Sequence, residues 1–427
     1  MKQSLVFLTF TLGAVAAYSA QARDLTLAEA ERLFAERNRE LLQAQRAVEG
    51  AEADRLSAGA RPNPNLYFNA TQYGNLYPQG YDSSRLDRRF DMVLGINQTF
   101  ERGGKRELRV GAADANARAS RDELSDIRRI QAVGLHAAYY DLVLAQEKLR
   151  IIRQTAAAFQ KTLEAMALRL KVGDVAPSDV SRIRVDALRA ENDARAVGAE
   201  LEKAQAALAY LIGLEGSARE IDAVDGWLAI ETNAPSADFS KILDRRADVS
   251  AARARLKAAD ARRDLARALR TRDVTGAVQI ERAPWNPLAN PTSANTLGFG
   301  VSFPLFTNYH YEGEIRRAEV ELDAARENLE RIRALAQGEM ARSRADLDAS
   351  GDRVSRFRDV LLKEAQKAAD AAEFAYSRGA IGVMDLLDAR RQHYATQIDA
   401  SAAQADYAKA LAAWRASQAT VEGPGEK

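Results

Sequence analysis

Few residues in this chain have the type and spacing to do chemistry. Asp385 and Asp388 are three apart, directly after Gly379-Ala380-Ile381-Gly382, so a helix starting there holds both carboxylates on one face. Such a pair favours cations, and copies of it brought together would raise each other's pKa. Asp179 occupies the matching place after Gly173. The three histidines, His136, His310 and His393, are scattered, with no cysteine or second histidine at ligand spacing, so no metal site is expected. Gly103-Gly104-Lys105-Arg106 has the residue types of a phosphate-cradling loop without its full spacing. No Ser/His/Asp set and no convergent carboxylate pair is present, so neither an enzyme nor a cofactor is expected.

What positions the aspartates is an internal repeat. Gln131–Gln205 is a long helical pattern that turns once, around Gly173, and Gln337–Leu411 turns the same way around Gly379. An offset of 206 positions lays Gly173 on Gly379, Val175 on Ile381, Asp179 on Asp385 and Lys203 on Lys409. A period that long means two copies of one hairpin, not a solenoid. Gly173 and Gly379 are expected in backbone conformations closed to residues with a Cβ, which lets each hairpin reverse tightly.

The N-terminus reads as an export signal over residues 1–22: Lys2, an uncharged apolar run from Leu5 to Ala17, and Ala20-Gln21-Ala22 as the cleavage site. With no cysteine there is no lipobox for a lipoprotein and no disulfide. The chain carries 61 Lys and Arg against 60 Asp and Glu, which gives a nucleic-acid partner no basic excess to bind. Nothing after the signal is apolar for long enough to make a transmembrane helix. Alanine-rich, charge-rich sequence favours long, closely packed helices.

In order, residues 23–212 form a first repeat: a helix over 25–60, strands over 65–73 and 90–100, then the long hairpin, with Ser178 as the expected cap of its return limb. A connector follows at 213–237. The second repeat, 238–418, has a helix over 239–270, strands over 274–281 and 296–306, and a helix from about Gly313 to Ser377 that returns from 384. Residues 419–427 form a flexible tail. Met92, Leu94 and Ile96 alternate with Val93, Gly95 and Asn97, and Leu297, Phe299 and Val301 alternate with Gly298, Gly300 and Ser302. That is the dyad pattern of a membrane barrel strand. Four strands cannot close a barrel, and an open edge is not tolerated in lipid, so strands must be pooled between chains. Three chains in a closed ring would supply twelve.

At this point the chain resembles the TolC-like outer-membrane efflux family over its whole mature length. The resemblance is carried by the duplicated order, by Thr99–Arg106, by Ala209-Tyr210-Leu211-Ile212-Gly213, by the tip Met384–Ala389 and by Phe303-Pro304-Leu305-Phe306. Phe100–Arg109 looks most like the outer-membrane members of Czc-type heavy-metal efflux systems. The resemblance implies a homotrimer: a mainly α protein with a twelve-stranded barrel in outer-membrane lipid above a periplasmic helical tunnel. It also implies a periplasmic adaptor (membrane fusion protein) and an inner-membrane RND pump as partners, and export of cobalt, zinc, cadmium or nickel. Asp385 and Asp388 match aspartates lining the periplasmic entrance, and Asp179, the repeat mate of Asp385, is a candidate for the same place. Gly173, Val175, Gly379 and Ile381 would form the adaptor-contact tips, with Leu170, Val172 and Tyr376 presented beside them. Family channels hold the entrance shut with arginine and tyrosine; here the position two after Gly379 is Ile381, and the nearby arginine is Arg378. The loops holding Tyr81 and Trp285 are expected outside the cell. Drug or organic-solute efflux and, more remotely, a periplasmic coiled-coil adaptor are the alternatives.

Overall fold

The computed structural model describes residues 23–72, 90–230, 239–283 and 294–420. The expected signal, Tyr73, Tyr81, Trp285 and the tail from 421 lie outside them. The order is β1 (Arg23–Leu25), α1 (Leu27–Arg37), α2 (Arg39–Gly59), β2 (Asn65–Gln72), β3 (Phe90–Phe100), α3 (Lys105–Lys171) and α4 (Pro177–Ile212). A 3-10 turn (Glu215–Glu220), β4 (Ile221–Ala223), α5 (Phe239–Arg245), α6 (Ala247–Ala268), β5 (Val274–Ala283) and β6 (Ala294–Ser302) follow. The chain continues as α7 (Glu312–Arg356), a π-helical turn (Phe357–Leu361), α8 (Leu362–Ser377) and α9 (Val383–Ser417). These elements make two compact bodies, and each draws segments from both halves of the sequence.

The first body holds residues up to Arg39, Ala132–Thr232 and Asp346–Ala413. Its chain start is a strand, not the helix expected from residue 25: β1 pairs in parallel with β4, Leu25 opposite Ala223. Leu25 stays fully buried, but as a residue of this small sheet. Tyr139 of α3 locks the pair. Its hydroxyl lies 3.0 Å from the Leu25 carbonyl and 2.8 Å from Asp225 Oδ2, which also accepts the Leu27 N–H at 2.5 Å. The expected helix over 25–60 is broken at Asn38, whose extended backbone ends α1. The buried Asn38 amide donates to the Leu211 carbonyl near the end of α4, at 3.0 Å.

The second body holds Glu40–Gln131, Asn233–Ala345 and the chain from Trp414. The helix expected over 239–270 is broken in the same manner, at Arg246. Arg246 is 0% exposed, and its Nη1 donates to the Ser417 carbonyl at the end of α9, at 2.8 Å. Both breaks therefore place a buried donor on a return helix's last turn, where carbonyls lack helical partners. The four main strands form one antiparallel sheet in the order β2-β3-β5-β6. β5 runs on to Ala283, and β6 stops at Ser302 instead of 306. Phe303-Pro304 leaves the ladder because proline has no N–H to give it. Phe306 then packs edge-on against Tyr311 at 5.3 Å, ahead of α7.

Candidate functional site

The hairpin tips lie in the first body. α3 ends in a Schellman motif: the Gly173 N–H donates to Leu170 O at 3.1 Å and the Asp174 N–H to Arg169 O at 3.0 Å. The second tip repeats both bonds at the same offset, Gly379 to Tyr376 and Ala380 to Ala375, each at 2.9 Å. Gly173 and Gly379 have φ of 77° and 75°, the left-handed region where a Cβ is costly. The return limb α4 begins at Pro177 with Ala176 as its cap residue, so the expected Ser178 cap is not used. Proline fits there because its missing N–H would be unsatisfied in any case.

The three aspartates differ. Asp385 Oδ2 accepts the Gly382 N–H at 3.2 Å, reaching back over the first turn of α9 as a capping-box acid does. Asp388 is exposed, and its Oδ1 accepts from Arg391 Nη1 at 2.6 Å. Asp179 stands third in α4 with no side-chain hydrogen bond among the described residues. Arg391 escaped sequence reasoning, although its spacing from Asp388 is a helical i, i+3 pair. It also grips Asp186 of α4, whose side chain is 14% exposed, and lies 5.5 Å from the Phe159 ring centre. One guanidinium thus ties α3, α4 and α9. Of the three acids expected at the entrance, Asp388 therefore shares one guanidinium with Asp186.

Beneath the turns lies an apolar cluster of Phe159, Met166, Val180, Ile183, Ala187, Ala190 and Leu387. Leu170 and Val175 pack partly against it, while Val172 is 80% exposed. Tyr376 and Ile381 are half-buried. Of the side chains expected to face a partner, Val172 alone is fully turned outward. Arg378 lies over the Phe374 ring, 5.0 Å from its centre, and does not join a tyrosine. Arg169 does: its Nε holds Asp174 at 2.6 Å and its Nη1 reaches Tyr376 Oη at 3.4 Å.

The sheet in the second body separates its two faces by register. Leu66, Ile96, Val278 and Phe299 stand opposite one another, as do Phe68, Leu94, Ile280 and Leu297, and all eight are exposed. The other face carries Tyr67, Asn69, Thr71, Asn97, Thr99, Thr275, Gln279 and Thr296. No helix among the described residues is long and apolar enough to cross a membrane. Among the described residues, β2 and β6 end the sheet with unpaired edges.

The Gly103-Gly104 loop is a strand-to-helix turn with φ of 74° and 68°. A Cβ on Gly103 would meet Thr271 at 2.8 Å. The basic residues after it pin the junction. Lys105 Nζ donates to Thr271 O and Asp273 Oδ1, both at 2.8 Å, and Arg109 forks onto Glu101 at 2.6 and 3.1 Å. That fork holds the Glu101 carboxyl below its usual range. His136 pairs with Glu31 at 2.8 Å, and His393 contacts Gln397 at 2.9 Å. Among the described residues no three His, Cys, Asp or Glu side chains gather as a metal-binding set.

Residues 32–214 and 239–418 match the model of the outer membrane efflux protein family. The chain belongs to that family. It is an efflux channel of the outer membrane and not an enzyme. It is similar to the cobalt-zinc-cadmium resistance protein CzcC of Cupriavidus metallidurans, 25% identical over 377 residues, 88% of this chain and 86% of that one. It is also 25% identical over 371 residues to SilC of Salmonella typhimurium, described as a probable outer membrane lipoprotein, covering 84% of this chain and 78% of SilC. Among solved structures, CusC superposes with a TM-score of 0.78 at 20% identity over 93% of each chain.

Proposed function

We propose that this channel is the exit duct of a tripartite efflux system that exports divalent heavy-metal cations. Three copies would pool their four strands into a closed barrel of about twelve, with the apolar face against outer-membrane lipid. The observation that carries the reading is the sheet itself: an exposed apolar face beside two unpaired edges, which lipid would not tolerate unless other chains completed them. The helical hairpins would form the periplasmic tunnel. Their turns at Gly173 and Gly379, with Val172, Val175 and Ile381, would meet a periplasmic adaptor, which joins the duct to an inner-membrane pump.

The cation reading is supported by likeness to the cobalt-zinc-cadmium resistance protein and by Asp385, Asp388 and Asp179 at the tips. Asp385 and Asp179, with no basic partner among the described residues, would meet an entering cation weakly enough for it to leave again. The test is growth of a deletion strain on cobalt, zinc, cadmium and nickel, with drugs and detergents alongside. It would be complemented by native protein or by Asp385→Asn/Asp179→Asn. Selective metal sensitivity, cured by the native gene and less well by the variant, is the expected result. Sensitivity to drugs alone would leave the duct and remove the metal.

A further inference from the structure

One register row on the polar face crosses all four strands as Tyr67, Gly95, Gln279 and Gly298, large side chains alternating with none. Tyr67 does not stand off the sheet. Its ring lies over the buried Gly95, where a Cβ would meet Cζ and Oη at 2.5 Å, and its hydroxyl donates to Gln279 Oε1 at 2.7 Å. Gln279 in turn covers Gly298, where a Cβ would lie 3.0 Å from its Cγ. In the next row Gly300 faces only the Ala277 methyl, at 3.6 Å, so among the described residues this layered packing belongs to a single level.

Glycine inside a strand weakens it and marks a close approach. Here the approach is made by the side chain of the neighbouring strand, and two glycines at one level each lie beneath such a side chain. We propose that Gly95 and Gly298 set the bore of the conduit, because they let Tyr67 and Gln279 lie along its wall. The inference rests on the polar face being the lining of the conduit. A methyl at Gly95 cannot coexist with the ring at 2.5 Å, and the sheet backbone blocks one side, so the rigid ring swings out from the face. It also loses its bond to Gln279. In a ring of identical chains this happens once per chain at the same height. Gly298 is the milder site, since its neighbour is a flexible glutamine that can shift. With Tyr67 flat the bore is at its widest; with the ring swung out, bulky solutes are slowed while small hydrated ions still pass.

The native chain has no cysteine, so Ser302→Cys creates one thiol, exposed on the polar face beyond this row. Intact cells carrying it are treated from outside with a ladder of maleimides bearing poly(ethylene glycol) of increasing length. The expected result is that Gly95→Ala slows the largest reagent that enters the native channel by about tenfold and spares the smallest. Adding Tyr67→Ala restores the rate. An inserted Gly95→Ala channel that labels at the native rate, or a failure of Tyr67→Ala to rescue it, overturns the proposal. Should Gly95→Ala not reach the membrane, Gly298→Ala with Gln279→Ala as its rescue decides, with a slowing of about twofold expected and a native rate overturning it. If Ser302→Cys takes not even the smallest reagent in an otherwise native channel, the lining reading itself falls, and this inference with it.

Discussion

Arg246→Met would release the end of α9. The guanidinium is completely buried and makes four bonds: Ser417 O at 2.8 Å, Asp248 at 3.1 and 2.8 Å, and Glu339 at 2.8 Å. Methionine fills much of the space but leaves the Asp248 carboxylate, 18% exposed, without its cation. Breaking a buried pair by removing one partner costs about 3–5 kcal/mol. The lower end applies, because Glu339 is 39% exposed and keeps Arg129 at 2.7 Å. A loss of about 3 kcal/mol multiplies the open population roughly a hundredfold. Trypsin cutting after Arg415 of the detergent-solubilised protein, under conditions where cleavage tracks that population, should accelerate by the same factor. Arg246→Lys keeps the charge but not the fork, and should fall between.

The pH dependence gives a second reading of the same variant. Burial alone would push Asp248 and Glu339 up, but hydrogen bonds from Arg246, and for Glu339 from Arg129 as well, hold both below the usual carboxylate range. Stability from depressed carboxylates is present above their unfolded pKa of about 4 and is lost as pH falls through the folded value. The native protein should therefore lose protection of α9 in acid, and Arg246→Met should lose less there, having less to lose. Cleavage after Arg415 at the native rate at neutral pH, with melting unchanged, would refute the view that this arginine holds the helix end.

Two further outcomes test separate parts of the fold. Gly379→Ala places a Cβ at φ 75° and should cost about 1–2 kcal/mol at the tip, seen as faster amide exchange in Tyr376–Ala380 with α6 unchanged. Tyr139→Phe removes the hydroxyl that clasps Leu25 and Asp225 and should cost about 1–3 kcal/mol, freeing β1 to limited proteolysis. Burial and then Asp225 push the Tyr139 phenol well up. Stability from a raised tyrosine is whole below its unfolded pKa of about 10 and is lost as pH climbs through the folded value, so native β1 should loosen only in strong alkali.

Much of this was legible in the chain because it repeats over short distances. Strand alternation put Leu94 with Ile96, and Leu297 with Phe299, each pair on one side of its own strand before any pairing was known, because successive side chains on a strand point opposite ways. The offset of 206 positions reappears in the hydrogen bonds of both tips, because a helix reversal is built from a handful of consecutive residues around one glycine. The long helices followed from composition and from the absence of proline between Lys105 and Lys171.

Only the tertiary structure decided where partners far apart in sequence meet. β1 and β4 are three residues each and pair across about two hundred positions, too short to leave a periodic signal. Asn38 and Arg246 read as ordinary polar helix residues. They break their helices because the carbonyls of Leu211 and Ser417, left over at distant helix ends, need buried donors. Asp388 looked like a free entrance acid until Arg391, held by Asp186 on another helix, took it as a partner. Local pattern thus determined the elements and their faces, since propensity and amphipathicity act within a few turns. Which buried polar groups satisfy one another was left to the folded chain, where desolvation makes every unmet donor or acceptor costly.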